Sequence, residues 1–476
     1  MYDVVIIGSG IIGAMIAREL SKYELNICIL EKENDVACGS TKANSAIVHA
    51  GFDAKEGTLK AKLNVLGSQL MEQICKDLGV KYINNGSLVL GFNDDDFTTI
   101  KTLYERGINN GVEGLQILDY ETLHKLEPNV SKNALYALYA PTGAITCPYE
   151  LTIACVGNAM DNGTILKCNF DVKTISKVED YYVINSESEC VKTKFVINAA
   201  GIYSDTVAKM IGDNSFTISP RRGEYILLDK DCGNTVGCTI FKTPSKMGKG
   251  ILVSPTVDGN LLLGPTSVDI VDKDNKNTTD EGFAQILKLS NEYVENINTR
   301  TVITSFCGLR SVGSTGDFII NSPNAGFINV AGIESPGLSA SPAIALYVKD
   351  LLQSQLNLIP KDHYISTRKS MTYFKDASIE EKNAIIKNDP TFGRIICRCE
   401  TVTEGEILEA LRTNPKPTDL DGIKRRTRAQ MGRCQGGFCI PYIVKLISQE
   451  TGLIMEQVTK NGYKSELIVS KTKEGC

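Results

Sequence analysis

The chain has 476 residues, 42% hydrophobic and 22% charged, with a net charge of −5. That composition is ordinary for a globular protein and long enough for roughly two to four domains around a large core. The acidic balance disfavours a generic nucleic-acid binder, and no apolar run approaches the roughly 18–20 residues a membrane-spanning helix needs.

In chain order, Met1-Tyr2-Asp3 runs directly into a strand pattern rather than a secretory leader. The expected address is therefore a reducing cytoplasm, with any membrane contact made through a partner. Residues 3–31 read as one βαβ unit. An apolar strand spans 3–7, and Gly8-Ser9-Gly10-Ile11-Ile12-Gly13 forms a Gly-x-Gly-x-x-Gly turn. Helical periodicity with small Ala14 and Ala17 covers 12–22, a second strand covers 26–30, and Glu31 follows. Gly8 permits the tight turn, Gly10 lets the backbone approach a pyrophosphate, and Gly13 lets the helix pack closely on the strand. The helix N-terminus presents its positive end to the phosphates. Glu31 stands where an acid binds ribose hydroxyls and favours a free 2′-OH. The unit predicts dinucleotide binding; the fingerprint alone does not choose between FAD and NAD.

Next comes a small polar stretch, Gly39-Ser40-Thr41-Lys42-Ala43-Asn44-Ser45, then Ala46-Ile47-Val48-His49-Ala50-Gly51 and Gly57-Thr58-Leu59-Lys60-Ala61. Farther on, a strand at 195–197 ends in Asn198-Ala199-Ala200-Gly201, and Asp205 follows. Cys307-Gly308-Leu309-Arg310 precedes Gly316-Asp317. Phe327-Ile328-Asn329-Val330-Ala331-Gly332-Ile333-Glu334-Ser335-Pro336-Gly337-Leu338-Ser339 runs from a strand into a helix. On these motifs, residues 1–360 resemble FAD-dependent oxidases and dehydrogenases of the D-amino-acid-oxidase and glycerol-3-phosphate dehydrogenase superfamily. His-Ala-Gly followed by Gly-Thr-Leu-Lys-Ala resembles the subgroup holding glycerol-3-phosphate oxidases and L-2-hydroxyglutarate dehydrogenases.

The resemblance implies an α/β, mixed α+β architecture: a discontinuous Rossmann-like FAD-binding domain (1–85, 145–215 and 300–360) with an inserted antiparallel-sheet substrate domain (86–144 and 216–299). Candidate strands of the insert are 87–91, 222–228, 250–254 and 260–264, separated by Gly, Asn and Asp turns. The resemblance also implies that Ser40, Thr41, Asn44 and Ser45 wrap the FAD pyrophosphate and ribityl chain. Gly201, Gly332, Glu334, Gly337, Leu338 and Ser339 complete the cofactor site.

Oxidising a secondary alcohol needs a base of near-neutral pKa, and His is the usual choice. Of three His, His124 falls in a helix-like segment and His363 in a polar stretch, where each reads as structural or surface. The subgroup resemblance makes His49 the base near the flavin. An anionic substrate needs fixed cations, and Arg grips carboxylate or phosphate through paired donors. Arg310 is the first candidate, Lys249 the second with Lys246 as its rival, and Arg222 the third, with bracing of the insert as its other reading. A helix over 339–352 would aim its N-terminus, with the Gly337 and Leu338 amides, at the flavin pyrimidine edge and stabilise negative charge there.

Residues 361–390 are polar and Lys-rich and read as a linker. Lys424-Arg425-Arg426-Thr427-Arg428 reads as a solvated helix face, the alternative being cations that offset a nearby anionic cluster. Of 15 Cys, most read as small buried hydrophobes. Cys397, Cys399, Cys434 and Cys439 differ: Cys-x-Cys, a gap, then Cys-x4-Cys beside glycines. Four thiolates suit a 2Fe–2S cluster. Zinc is the rival, but its structural sites favour Cys-x2–4-Cys in both halves. A disulfide framework is not expected without an export signal. With Arg398, Thr427-Arg428 and Met431-Gly432, these cysteines make residues 391–476 resemble bacterioferritin-associated ferredoxin-like 2Fe–2S domains, a small helical unit. The fusion resembles anaerobic, cluster-bearing glycerol-3-phosphate dehydrogenase catalytic subunits.

The expected function is FAD-dependent oxidation of sn-glycerol 3-phosphate to dihydroxyacetone phosphate, with electrons leaving through the cluster to a partner subunit or a quinone-linked acceptor. An L-2-hydroxy acid such as 2-hydroxyglutarate is the first alternative substrate. Sarcosine-type amine oxidation and a non-catalytic electron-transfer subunit are the others.

Overall fold

In the computed structural model, which describes residues 1–244, 250–470 and 473, the N-terminal periodicities become strand Tyr2–Ile7, helix Ile11–Leu20 and strand Ile27–Leu30. All three elements bury Val4, Ile6, Ala14, Ile16, Ala17 and Ile29 completely. A strand apolar on both faces needs cover on both sides, and a parallel sheet supplies it. Tyr2–Ile7 lies parallel to Ile27–Leu30 on one side and to Cys190–Asn198 on the other. Ile165–Lys167 extends the sheet beyond Ile27–Leu30. The far side of Cys190–Asn198 is shared: its first half pairs antiparallel with Tyr181–Asn185, its second half parallel with Phe327–Ala331. Helices Leu59–Leu78, Pro148–Asp161 and Gly337–Gln353 pack with Ile11–Leu20 into one core on this sheet.

A nine-stranded sheet forms the second layer system. Its spine is the long pair Ile218–Leu228 and Val302–Gly313, antiparallel from Ile218 opposite Gly313 to Leu228 opposite Val302. Leu261–Gly264, Leu252–Pro255, Thr239–Lys242, Ser87–Gly91, Tyr136–Ala140 and Gln116–Leu118 continue it outward. The expected strand at 87–91 is observed at those residues, and that at 222–228 begins four residues earlier, at Ile218. Most pairings are antiparallel, but Thr239–Lys242 runs parallel to Ser87–Gly91. A three-stranded sheet, Ile47–Val48, Ala144–Thr146 and Tyr82–Ile83, places His49 at the mouth between the two systems.

The C-terminal unit has its own core of Ile396, Val402, Ile407, Leu411, Ile423, Ile443 and Ile447. Helices Glu404–Arg412, Leu420–Thr427 and Ile440–Thr451 enclose it beside the short pair Ile395–Cys397 and Val402–Thr403. The segment read as a linker holds a helix, Ile379–Asn388, started by a capping box in which Ser378 and Glu381 satisfy each other's backbone N–H groups. Among the described residues, no helix is long and apolar enough to cross a membrane.

The basic run corrects the expectation of a solvated face. Arg425, Arg426 and Arg428 are all buried. Asp35 binds Arg425 at 2.6 Å and Arg426 at 2.8 Å. Arg428 reaches Asp258 at 2.6 Å, Glu400 at 3.1 Å and Asn260 at 3.1 Å. Periodicity could not show this, because the partners lie far away in sequence. These charges are buried because each is paired.

Candidate active site and cysteine centre

Local chemistry builds the floor of the site. At the glycine turn Gly8 has φ +102°, where a side chain is strained, and a Cβ on Gly13 would collide with the Gly8 carbonyl oxygen. Helix and strand can approach this closely only with glycine at both positions. Ile11 N donates to the buried Thr41 hydroxyl at 3.0 Å, so the loop at 39–46 caps the helix start. Glu31 Oε2 accepts from Ser9 N at 2.8 Å and Ser9 Oγ at 2.6 Å, and Oε1 accepts from Glu33 N at 3.0 Å. Burial pushes the Glu31 carboxyl up, while these donors oppose the shift. Gly13→Ala is expected to yield folded protein without bound flavin, seen as loss of the yellow absorbance after purification; normal flavin content would refute this use of the close approach.

From this floor a cavity of about 1060 Å³ runs to the mouth of the second sheet. It is lined by Gly8, Gly10, Glu31, Ser40, Thr41, Asn44, Ser45, His49, Gly201, Arg310, Glu334, Gly337 and Leu338. Three residues predicted for the cofactor stand behind the wall. Gly13 packs under the turn, Gly332 packs on Gly313, and buried Ser339 accepts from His49 N at 2.7 Å. Ser339 thus ties the start of helix Gly337–Gln353 to the histidine segment. Glu334 accepts from Lys60 at 2.7 Å, which joins the Gly-Thr-Leu-Lys-Ala motif to the last cofactor segment.

His49 is half-buried, with Nε2 3.3 Å from Ser335 Oγ and its ring 6.0 Å from that of Phe241. The Asn64 amide, turned so that nitrogen faces the His49 carbonyl at 3.2 Å, accepts from Gly51 N at 3.1 Å. Arg310 projects into the same cavity from strand Val302–Gly313 and acts electrostatically on Tyr225, whose hydroxyl is 3.1 Å from Ser45 Oγ. Burial pushes the Tyr225 phenol up, so it stays protonated at neutral pH. Arg222 does not reach the cavity: its Nε lies 3.2 Å from Glu224 Oε1. Lys249 and its rival Lys246 lie outside the described residues. His124 contacts the Ala134 carbonyl at 3.1 Å, away from the site.

Sequence reading missed Tyr225 and Phe241. Tyr225 lies on the strand expected at 222–228, where residue alternation could have marked it as facing opposite to Arg222. Nothing local marks Phe241.

The four C-terminal cysteines stand as two pairs. Cys399 and Cys434 have sulfurs 3.5 Å apart, and the side chains of Cys397 and Cys439 act on each other. That interaction holds the Cys397 thiol below its ordinary range and Cys439 above it. The amides of Gly436, Gly437 and Phe438 face the Cys434 sulfur, and those of Gln430 and Glu400 face Cys397. A Cβ on Gly432 would collide with Cys399. Among the described residues no three or more His, Cys, Asp or Glu converge on one point. Two sulfur pairs suit a two-iron cluster better than one tetrahedral zinc. The amide donors fit an anionic, sulfur-rich group.

Comparison with known proteins agrees on both halves. Residues 3–351 match the family of FAD dependent oxidoreductases, and residues 395–449 match the BFD-like 2Fe-2S binding domain. Glycerol 3-phosphate dehydrogenase of Caloramator mitchellensis is 48% identical over 99% of both chains. Mitochondrial L-2-hydroxyglutarate dehydrogenase of Bos taurus is 31% identical over 56% of this chain and 61% of its own. The dithionite-reduced L-alpha-glycerophosphate oxidase of Mycoplasma pneumoniae with FAD bound superposes with a TM-score of 0.73 at 32% identity, over 77% of this chain and 98% of its own.

Proposed function

This chain belongs to the FAD dependent oxidoreductases and carries a BFD-like 2Fe-2S binding domain, and from that premise we propose that it oxidises sn-glycerol 3-phosphate to dihydroxyacetone phosphate. The observation that carries the reading is one cavity holding a dinucleotide floor at one end and His49, Arg310 and Tyr225 at the other. The end-to-end likeness to a glycerol 3-phosphate dehydrogenase supports it, since that relative spans both halves of this chain.

Gly8, Gly10, Glu31 and the loop at 39–46 hold the adenine dinucleotide, and Gly337 and Leu338 border the flavin. Bound FAD supplies the hydride-accepting chemistry. Arg310, backed by the Tyr225 hydroxyl, binds the phosphate end through charge-assisted hydrogen bonds. The substrate hydroxyl takes the place of Ser335 at His49 Nε2, which accepts its proton. Ser339 and Asn64 hold the His49 backbone while this happens. Cys397, Cys399, Cys434 and Cys439 hold the cluster, which supplies a one-electron exit. The acceptor is then a partner subunit or a quinone-linked carrier, and the protein works in the cytoplasm or at a membrane through that partner. The FAD-binding and substrate domains take the discontinuous segments given above, and the cluster domain residues 391–476.

A carboxylate substrate of the L-2-hydroxy acid class would use the same cation, and the 31% relative favours it as the second reading. Anaerobic mixing with each substrate decides between them. Glycerol 3-phosphate is expected to bleach the flavin at micromolar to millimolar concentration; bleaching by L-2-hydroxyglutarate alone would overturn the choice. In the same assay Cys434→Ser is expected to lose the reduced-cluster EPR signal while substrate still bleaches the flavin. Zinc in place of iron and sulfide on metal analysis would remove the electron exit.

A further inference from the structure

The rim of the cysteine centre is cationic and apolar together. Residues 393–399 and 433–445 contain no acidic residue, in a chain whose net charge is −5. Arg394, Arg398, Arg433 and Lys445 are all exposed there. Arg394 binds Glu404 at 2.9 Å, and Arg433 binds Asp229 and Asp231. Among the described residues, Arg398 and Lys445 have no ion-pair partner.

The same two segments carry three exposed apolar side chains: Phe438 at 73%, Tyr442 at 51% and Ile395 at 47%. The Arg394 guanidinium lies over the Tyr442 ring at 5.8 Å. Phe438 presents its amide to the Cys434 sulfur and its ring to solvent, and Cys399 is exposed. Scattered exposed apolar residues are ordinary. Here they lie within three residues of Cys397 or Cys439, with the aromatic and arginine composition that dominates binding hot spots.

We propose that this rim docks an acidic one-electron carrier protein. The proposal rests on the reading that electrons leave through the cysteine centre. Unpaired cations steer an anionic partner at long range, and Phe438 and Tyr442 are then buried at contact. Each encounter moves one electron to the carrier. The alcohol loses two electrons and two protons, so two carriers are reduced per turnover and the protons pass to solvent. An anionic membrane fits the surface less well. The apolar residues come from a strand, a loop and a helix start, and they form no continuous amphipathic face.

The test uses the holoprotein, titrated calorimetrically with a purified acidic plant-type ferredoxin and with basic cytochrome c. Ferredoxin is expected to bind with an affinity that falls steeply from low to physiological ionic strength, and cytochrome c to bind at least tenfold more weakly. R398E/K445E and, separately, K445E and F438S are expected to weaken ferredoxin binding, the double variant about tenfold or more. Flavin bleaching by substrate should be unchanged in all three. Lys445 lies on the helix after the last cysteine, so K445E reports on the surface even where Arg398 proves necessary for folding. Equal affinity in all variants, salt-independent binding, preference for cytochrome c, self-association through the rim, or binding to anionic vesicles but not to ferredoxin would each overturn the proposal. Failure of substrate to bleach the wild-type flavin would instead strike the functional reading, because carrier affinity is measured without substrate.

Discussion

His49→Ala is expected to lower the rate of substrate-driven flavin reduction by about 10²–10⁴-fold, the usual loss when a positioned general base is removed. The variant should keep its flavin. The contacts that hold this segment in place use the His49 backbone: its N–H bonds Ser339 at 2.7 Å and its carbonyl faces Asn64 at 3.2 Å. Neither depends on the imidazole, so alanine removes the proposed proton acceptor and leaves the cavity wall standing. The lost ring leaves a gap beside Phe241 and Ser335. Anaerobic stopped-flow bleaching, with flavin content measured in the same preparation, separates loss of chemistry from loss of cofactor. Bleaching at the wild-type rate would remove His49 as base. Arg310→Ala should act differently, raising the substrate concentration needed for half-maximal bleaching, because its proposed work is binding.

Asp35→Ala is expected to destabilise the seam between the C-terminal unit and the dinucleotide-binding layers by about 3–5 kcal/mol. Asp35 carries two guanidiniums at once, and all three side chains are at most 6% exposed. Removing the carboxylate leaves two positive charges buried without a counter-ion. Replacing Asp35, Arg425 and Arg426 together by apolar residues should cost less than the Asp35 change alone, since neither guanidinium is then left without its carboxylate. Burial alone would raise the Asp35 pKa, but Arg426 and then Arg425 outweigh it and hold the carboxyl at about 2. Its folded pKa is thus below the unfolded value near about 3.9. The stabilisation is fully present above the unfolded pKa and is lost as pH falls from about 4 through about 2. Scanning calorimetry should show the wild-type transition moving down over that window, and the Asp35→Ala transition moving less. An unshifted melting profile for the single variant would show that the bridge does not hold the seam.

The sequence by itself determined whatever depends on neighbours along the chain. The βαβ unit was legible because an apolar strand, three glycines at fixed spacing and an acid after the second strand are local requirements of one turn. The close approach of Gly13 to Gly8 is the reason those positions take glycine. Helix Gly337–Gln353 was legible over 339–352 from its apolar spacing, with two residues of its first turn missed. The C-terminal 2Fe-2S binding domain was legible because four thiols beside glycines serve few other purposes, and residues 395–449 match that domain family. Helix Ile379–Asn388 was hidden by its polar composition; it buries no side chain, and its one local signal was the Ser378-x-x-Glu381 capping box.

Tertiary structure decided what depends on residues brought together from distant segments. Ser45, Tyr225 and Arg310 form one polar wall from a loop and two strands that pair only in the folded sheet. Arg425, Arg426 and Arg428 look like a solvated stripe until Asp35, Asp258 and Glu400 arrive from three other segments. A lone basic run belongs in water, because burying an unpaired charge costs many kcal/mol. Only the fold supplies the counter-charges that reverse that preference, and no window along the chain contains them.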